Sequence, residues 1–401
     1  MGGLHWACAH AVIAADFFIT ECGTAMPNYQ RFILTDLAHS DLWVSEITLD
    51  SNAWPGCFPT PWRITKRTLR GGRRDGIDLI EVNNGPLCYQ ILPTRGMSLW
   101  RGQFRNIPLG WQAPIQGPVH PSFVNLLDRG GLGWLDGFDE WFVRCGLSSM
   151  GPPGIDPKTK EFLPLHGRIA NQPAHYVEIR IHLEPPYEIQ VIGHVQETTL
   201  FMNNWLLRTT YTTTPGSNRL IVHDEVENRS VREAELSLLY HINWGPPLLG
   251  EGSQILAPVA NIMPKDARAA EGLATWDLYD GPTPGFAEQV YFCELATSAG
   301  GQTLAMLQGA THPMAAVIRW SKMELPYFVV WKNTADLTEG YVTGLEPALQ
   351  LPNFRASERD ANRLPLIAPG QTYRTTLAIE LLDQADHVDE TRHEIAQLTA
   401  G

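Results

Sequence analysis

Short runs in which apolar and polar side chains alternate, each closed by Gly, Pro or Asn, recur through the middle and end of this chain. A period of two is the mark of a strand with one buried and one solvated face. Glu188–Ile192 leads into His194-Val195, Leu220–Asn228 follows the turn Pro215-Gly216-Ser217-Asn218, and Thr375–Leu381 follows Pro369-Gly370. Further strands are predicted at Leu79–Val82, Leu87–Leu92, Leu206–Thr213, Leu236–His241, Thr303–Leu307, Ala316–Trp320 and Tyr327–Trp331. Helical periodicity is confined to Phe123–Leu127, part of Trp134–Cys145, and the tail 383–401, where charge and Ala favour a helix or fraying. No stretch is long enough to serve as an interdomain linker, and no fixed-period repeat marks a propeller or solenoid. The expectation is an all-β fold with few short helices: one domain over 26–382, a large antiparallel sandwich whose two sheets bury their faces on each other. A curved sheet of that kind offers a cleft for a ligand.

Composition narrows the partners. Thirty Lys plus Arg against 43 Asp plus Glu leave a net charge of −13, the wrong sign for attraction to phosphate backbones or anionic membranes. No nucleic acid and no membrane partner is therefore expected. The most apolar stretch, Ala7–Thr20, contains His10 and Asp16 and falls short of the ~20 apolar residues that span a bilayer. No basic residue precedes it, the first being Arg31, so it does not read as a secretory signal. Residues 1–25 read as a separate N-terminal segment, disordered or extra, with the ordered domain expected to begin near Met26. The six cysteines are scattered, without a C-x-x-C or a zinc-like spacing, which fits a reduced, cytoplasmic setting.

Phosphate-cradling glycine loops, H-E-x-x-H and G-x-S-x-G are all absent from the sequence, so the usual nucleotide, zinc-protease and serine-hydrolase readings have no support. Gly130-Gly131-Leu132-Gly133 lacks the lysine of a phosphate loop and reads as a turn. No metal and no cofactor is expected.

Four segments carry chemistry. Pro164–Asn171 places His166, Arg168 and Asn171 around Gly167 in a turn. A histidine alone in such a place is more often structural, but a second segment changes the odds: in Leu238–Pro247 an apolar strand ends in His241, Asn243 and Trp244. An imidazole is the side chain whose proton exchange lies nearest neutral pH. In Tyr341–Ala348 the carboxylate of Glu346 sits on an otherwise apolar strand just before Pro347, so it is either ion-paired or kept as a working base. In Leu92–Leu99, Arg95 leaves a strand into a glycine turn, as a surface residue or as a fork of donors for ligand hydroxyls. Of the 13 tryptophans, Trp111, Trp134, Trp141, Trp205, Trp244 and Trp331 cluster near these segments. Most belong to the core; Trp244 is the choice for a flat platform under a sugar ring.

Arg95, Leu165-His166-Gly167, Tyr240–Asn243 and Gly344–Pro347, in that order along an all-β chain, resemble the aldose 1-epimerase (galactose mutarotase) superfamily. Gly130–Leu135, Pro164–Asn171 and Gly344–Pro347 bring the chain near an aldose-epimerase-like branch of it, over roughly residues 75–382. The resemblance implies a galactose mutarotase-like β-supersandwich that interconverts the anomers of free aldoses without a cofactor. It implies Glu346 as the base that removes the anomeric proton and His241 as the acid that protonates the ring oxygen. His166 and Arg95 would hold the ring-oxygen side and the hydroxyls; Asn243 and Trp244, at the end of the same strand as His241, are further candidates for holding the sugar.

One departure concerns the substrate. Mutarotases usually follow the first histidine with two glycines, whereas Arg168 follows Gly167 here, so the sugar is either neutral or anionic, with Arg168 the partner of its charge. Two other readings stay open: a lyase or isomerase acting on an acidic sugar, and a sugar-binding protein without turnover. The oligomeric state is not legible.

Overall fold

The computed structural model describes residues 28–310 and 314–400; the segment expected at 1–25 lies outside them. Two large antiparallel sheets face each other. The ten-stranded sheet runs, in spatial order, through Gln254–Leu256, Gln302–Gln308, Ala315–Ser321, Thr372–Leu382, Arg219–Asn228, Asn204–Thr213, Ile189–Thr198, Ala174–His182, Tyr29–Asp36 and Leu42–Trp43. At the centre of the twelve-stranded sheet lie Gln289–Leu295, Tyr327–Asn333, Val342–Ala348, Ser237–Trp244 and Phe142–Leu147, each hydrogen-bonded to the next through the run. This is the expected all-β sandwich, and every strand named from the two-residue period is present within a few residues of its expected ends.

The core follows from that period. One continuous cluster takes Val177, Ile179, Val191, Val222 and Ile379 from one sheet and Tyr89, Phe142, Tyr240, Ile242, Val330 and Leu345 from the other. A pair of charges is buried with it: Arg144 donates to both carboxylate oxygens of Asp224 across the gap between the sheets, at 2.5 and 2.8 Å. Tyr240 donates to the same carboxylate at 2.8 Å.

Among the described residues there are four α-helices, three of them of six residues or fewer. The helix expected within Trp134–Cys145 is corrected: Gly133–Asp136 is a 3₁₀ turn, and Phe142–Leu147 is a strand with every residue buried. A strand covered on both faces loses its alternation, which is why its period misleads. At the tail, Ala385–Ala400 forms a helix whose Val388 and Ile395 pack on Leu304, Met306 and Val317, on the outer face of the ten-stranded sheet. No helix among the described residues is long and apolar enough to cross a membrane.

Candidate active site

Strand parity builds the site. In Ser237–Trp244, Tyr240 and Ile242 point into the inter-sheet core, so Leu239, His241 and Asn243 point to the opposite face of the twelve-stranded sheet. The neighbouring strand Val342–Ala348 pairs Ile242 with Leu345 and Asn243 with Gly344, which sets His241 opposite Glu346 on that outer face. The contact that results is close: His241 Nε2 lies 3.1 Å from Glu346 Oε1, and both side chains are almost fully buried. Gly344 makes room for it, since a Cβ there would stand 2.4 Å from Glu346 Oε1 and 3.1 Å from His241 Cε1.

His241 is held from behind. Its Nδ1 lies 2.6 Å from Asn243 Oδ1, and Asn243 Nδ2 donates to the backbone carbonyl of Glu140 at 2.9 Å. Glu140 is in turn fixed by Arg95, whose Nε donates to its carboxylate at 2.6 Å. His166 arrives from the turn that precedes Ala174–His182. His166 and Gly167 both adopt left-handed backbone, with φ of 55° and 75°. A Cβ on Gly167 would stand 2.1 Å from the carbonyl oxygen of Ser149, so the close backbone approach requires glycine. His166 Nδ1 donates to the carbonyl of Met150 at 3.0 Å, and its ring centre lies 5.7 Å from that of His241.

These groups floor a cavity of about 310 Å³, small for a ligand pocket, where ~300–1,000 Å³ is usual. Its walls are largely apolar: Trp134, Phe138 and Trp331 box the His241 ring at centroid distances of 6.3, 5.0 and 5.3 Å. Lys265 and Glu288 line the same cavity and are exposed, and Trp331 Nε1 donates to Glu288 at 2.7 Å. The indole N–H of Trp134 is buried without a hydrogen-bond partner.

Burial dominates the electrostatics. It pushes the Glu346 carboxyl well above the usual carboxylate range, an effect reinforced by the charge of Glu288 and opposed by Lys265. Burial also brings the His241 imidazole down to about 3, with His166 adding to the shift and the Asn243 bond opposing it. His166 is brought down to about 4 by burial, against its bond to Met150.

Other depressions are less suited to chemistry. One of about 460 Å³ is lined by Asp156, Glu235 and Arg355, but these charges are joined in an ion-pair cluster with Arg359. In one of about 230 Å³, Lys332 donates to the carbonyls of Thr275 and Leu278. Among the described residues no group of three or more His, Cys, Asp or Glu is placed to hold a metal ion.

Of the residues expected at a sugar site, Glu346, His241 and His166 come together in one cavity, with Asn243 behind His241. Two others are displaced. Arg95 is fully buried, and its guanidinium is spent on Glu140, Asn171 and the carbonyls of Val119 and Gly137, so it supports the site from beneath. Trp244 stands three residues from His241 on one strand and therefore faces the other way, edge-on to Trp141 in the core. The aromatic walls come from Trp134, Phe138 and Trp331 instead. Arg168 is half-exposed, 3.6 Å from Glu161, outside the cavity lining. Lys265, Glu288 and Phe138 were not expected. The first two lie at the ends of Val259–Pro264 and Gln289–Leu295, strands whose pairing no local motif announces.

The two-sheet architecture and this site define a protein of the galactose mutarotase-like fold. The chain is similar, at 32% identity over 92% of its length and 96% of the other's, to the crystal structure of a "putative aldose 1-epimerase" from Klebsiella pneumoniae subsp. pneumoniae MGH 78578, with a TM-score of 0.89. It shares the fold alone with a galactose mutarotase-like protein from Clostridium acetobutylicum (14% identity, 80% and 98% of the two chains, TM-score 0.53). The same holds for a galactose 1-epimerase from Lactobacillus acidophilus NCFM (12%, 80% and 98%, TM-score 0.51). No curated protein matches the chain. Residues 74–381 match the family described as Domain of unknown function (DUF4432), and the chain belongs to that family.

Proposed function

We propose that this protein is an isomerase that interconverts the anomers of a small free aldose, with Glu346 and His241 as its acid–base pair. The observation that carries this reading is the 3.1 Å contact between His241 Nε2 and Glu346 Oε1 at the floor of an apolar-walled cavity. Ring opening needs one group to take the proton of the anomeric hydroxyl and another to give a proton to the ring oxygen. These two oxygens share one carbon, so two adjacent groups serve both. Each such transfer typically contributes ~10²- to 10⁴-fold. The aromatic walls suit the apolar faces of a sugar ring, and His166 offers its second ring nitrogen to a hydroxyl.

Lys265 bears on the substrate class. It is the cation lining the cavity, so an anionic group on the sugar would meet Lys265 and not Arg168. The thiols of Cys57, Cys88, Cys145 and Cys293 are free, which supports a cytosolic setting for the activity.

The test is anomer exchange followed by NMR or polarimetry on a panel of neutral, carboxylated and phosphorylated aldoses. Wild type is expected to accelerate exchange of at least one class, and Glu346→Gln and His241→Asn each to lose ~10²- to 10⁴-fold. Binding of the same sugars without any acceleration would overturn the reading in favour of a sugar-binding protein. Release of an unsaturated product would point to a lyase.

A further inference from the structure

Apart from its floor, the cavity gives a sugar little to hold by hydrogen bonds. Five of its lining side chains carry a carboxylate, an amine or an imidazole: Glu346, His241, His166, Lys265 and Glu288. In the isomerase reading, on which this inference rests, Glu346 and His241 serve the anomeric hydroxyl and the ring oxygen, and His166 is left for one further hydroxyl. Lys265 and Glu288 are exposed, so a hydroxyl near them keeps partners in water as well. Of the two indole N–H groups in the lining, that of Trp331 is given to Glu288 at 2.7 Å, and that of Trp134 is buried without a partner. Aromatic rings and Gly151 aside, the remaining lining is aliphatic: Leu132, Leu135, Leu165, Val290 and three prolines. A hydroxyl held against such a surface gives up water and gains no bond, whereas a hydrogen or a methyl group there is favoured. A second observation is independent of that comparison. Leu132 and Leu135 are 36% and 44% exposed, so the free chain keeps apolar surface on the open side of the cavity that a carbon-rich ligand would cover. At about 310 Å³ the cavity is at the small end of ligand pockets, so that carbon surface belongs to the sugar itself and not to a bulky appendage.

We propose that the substrate is a deoxy aldose, a free monosaccharide in which hydrogen replaces one or more hydroxyls other than the anomeric one, and that the aliphatic lining selects it. Each hydroxyl removed turns a CHOH or CH₂OH group into a CH₂ or CH₃ group, which loses no hydrogen bond when it meets Leu135 or Val290. The chemistry of the site is untouched by the change. The anomeric hydroxyl gives up its proton, the C1–O5 bond opens and closes again, and no atom of the missing hydroxyl takes part. An apolar lining discriminates against one added hydroxyl by up to ~10²-fold.

The test uses the full-length chain and pairs of sugars that differ by a single hydroxyl: galactose with 6-deoxygalactose, mannose with 6-deoxymannose, glucose with 2-deoxyglucose and ribose with 2-deoxyribose, each in D and L forms. Anomer exchange followed by NMR and corrected for the uncatalysed rate gives kcat/KM, and calorimetric titration gives Kd. In at least one pair the deoxy sugar is expected to exceed its parent ~10- to 10²-fold in kcat/KM and to bind more tightly. Exchange that is as fast or faster for the parent in every pair would overturn this inference and leave the isomerase reading standing. Tighter binding of the deoxy sugars without any exchange would do the reverse, and a panel that neither binds nor exchanges would overturn both. A deoxy sugar can also open faster by its own chemistry, so two variants locate the source of the preference. Leu135→Gln, at a partly exposed position, and Val290→Thr each place a hydrogen-bonding group on the lining and are expected to narrow the preference ~2- to 10-fold. A preference unchanged in both folded variants would reside in the sugar and not in the lining, and would overturn the selection proposed.

Discussion

Gly344 carries no side chain, and the close approach of His241 and Glu346 depends on that. Its absent Cβ would occupy the space between Glu346 Oε1 and His241 Cε1, so Gly344→Ala must push one of the two aside. A displacement near 1 Å at reacting groups costs ~10²-fold. The expected outcome is a loss of that order in anomer exchange, together with a destabilisation of about 1–3 kcal/mol from the overpacked strand, read by polarimetry beside urea titration. His166 makes a prediction in the pH dimension. Its imidazole is held down at about 4 in the fold, whereas an unfolded chain binds the proton near pH 6.5. The unfolded state is thus protonated first, and the stability is complete above about pH 6.5 and lost as pH falls towards 4. The full effect is about 3 kcal/mol at most, reduced because the ring edge borders the cavity. Urea unfolding of wild type and His166→Gln between about pH 7 and 4 should show a shallower acid-side loss in the variant; identical losses would mean that His166 is already charged in the folded protein.

At the scale of the element, parity along Ser237–Trp244 explains more than any single motif. Residues 241 and 243 share one face, 240, 242 and 244 the other, and the choice of which face meets the second sheet assigns Tyr240 to Asp224 and His241 to Glu346. That rule was available from the spacing alone and places Trp244 opposite His241. The C-terminal helix Ala385–Ala400 is amphipathic in the same economical way. It rests on the ten-stranded sheet through Val388 and Ile395, with Arg319 bridging to Glu394 at 2.7 Å. Because Ile395 is buried at an edge of the structure, Ile395→Ala should cost about 2 kcal/mol, the low end for such truncations. Anomer exchange should be unaffected, since the helix lies on the outer face of the sheet that does not carry the site; a folded variant with lost activity would contradict that separation. The ion pair itself contributes little at a half-exposed position.

The molecule as a whole is joined across its core chiefly by hydrophobic side chains, with the buried charge pair Arg144–Asp224 among them. Removing one partner strands the other in a low-dielectric interior, so Arg144→Met should destabilise by roughly 3–5 kcal/mol, while the double variant Arg144→Met/Asp224→Leu should recover most of that loss. Denaturant unfolding of the two single variants and the double distinguishes this from independent, additive costs. Much of the molecule was legible beforehand for a common reason: alternation is a local property, so Leu220–Asn228 or Thr375–Leu381 announces a strand wherever it ends up. The pairing of Glu346 with His241 was legible through short motifs that resemble a known family. What the chain could not announce is which strands stand side by side and which face each turns inward. Lys265 and Glu288 meet through such pairing, Phe142–Leu147 hides its period because it is covered on both sides, and Arg95 turns from a ligand fork into a buried brace because Glu140 is waiting beneath it. Residue order thus specified the β-sandwich and the two segments that bring Glu346 and His241 together, whose signals are contained in short stretches. The cavity walls and the partner of Arg95 were settled by contacts between residues tens of positions apart, whose energies exist only once the two sheets have closed on each other.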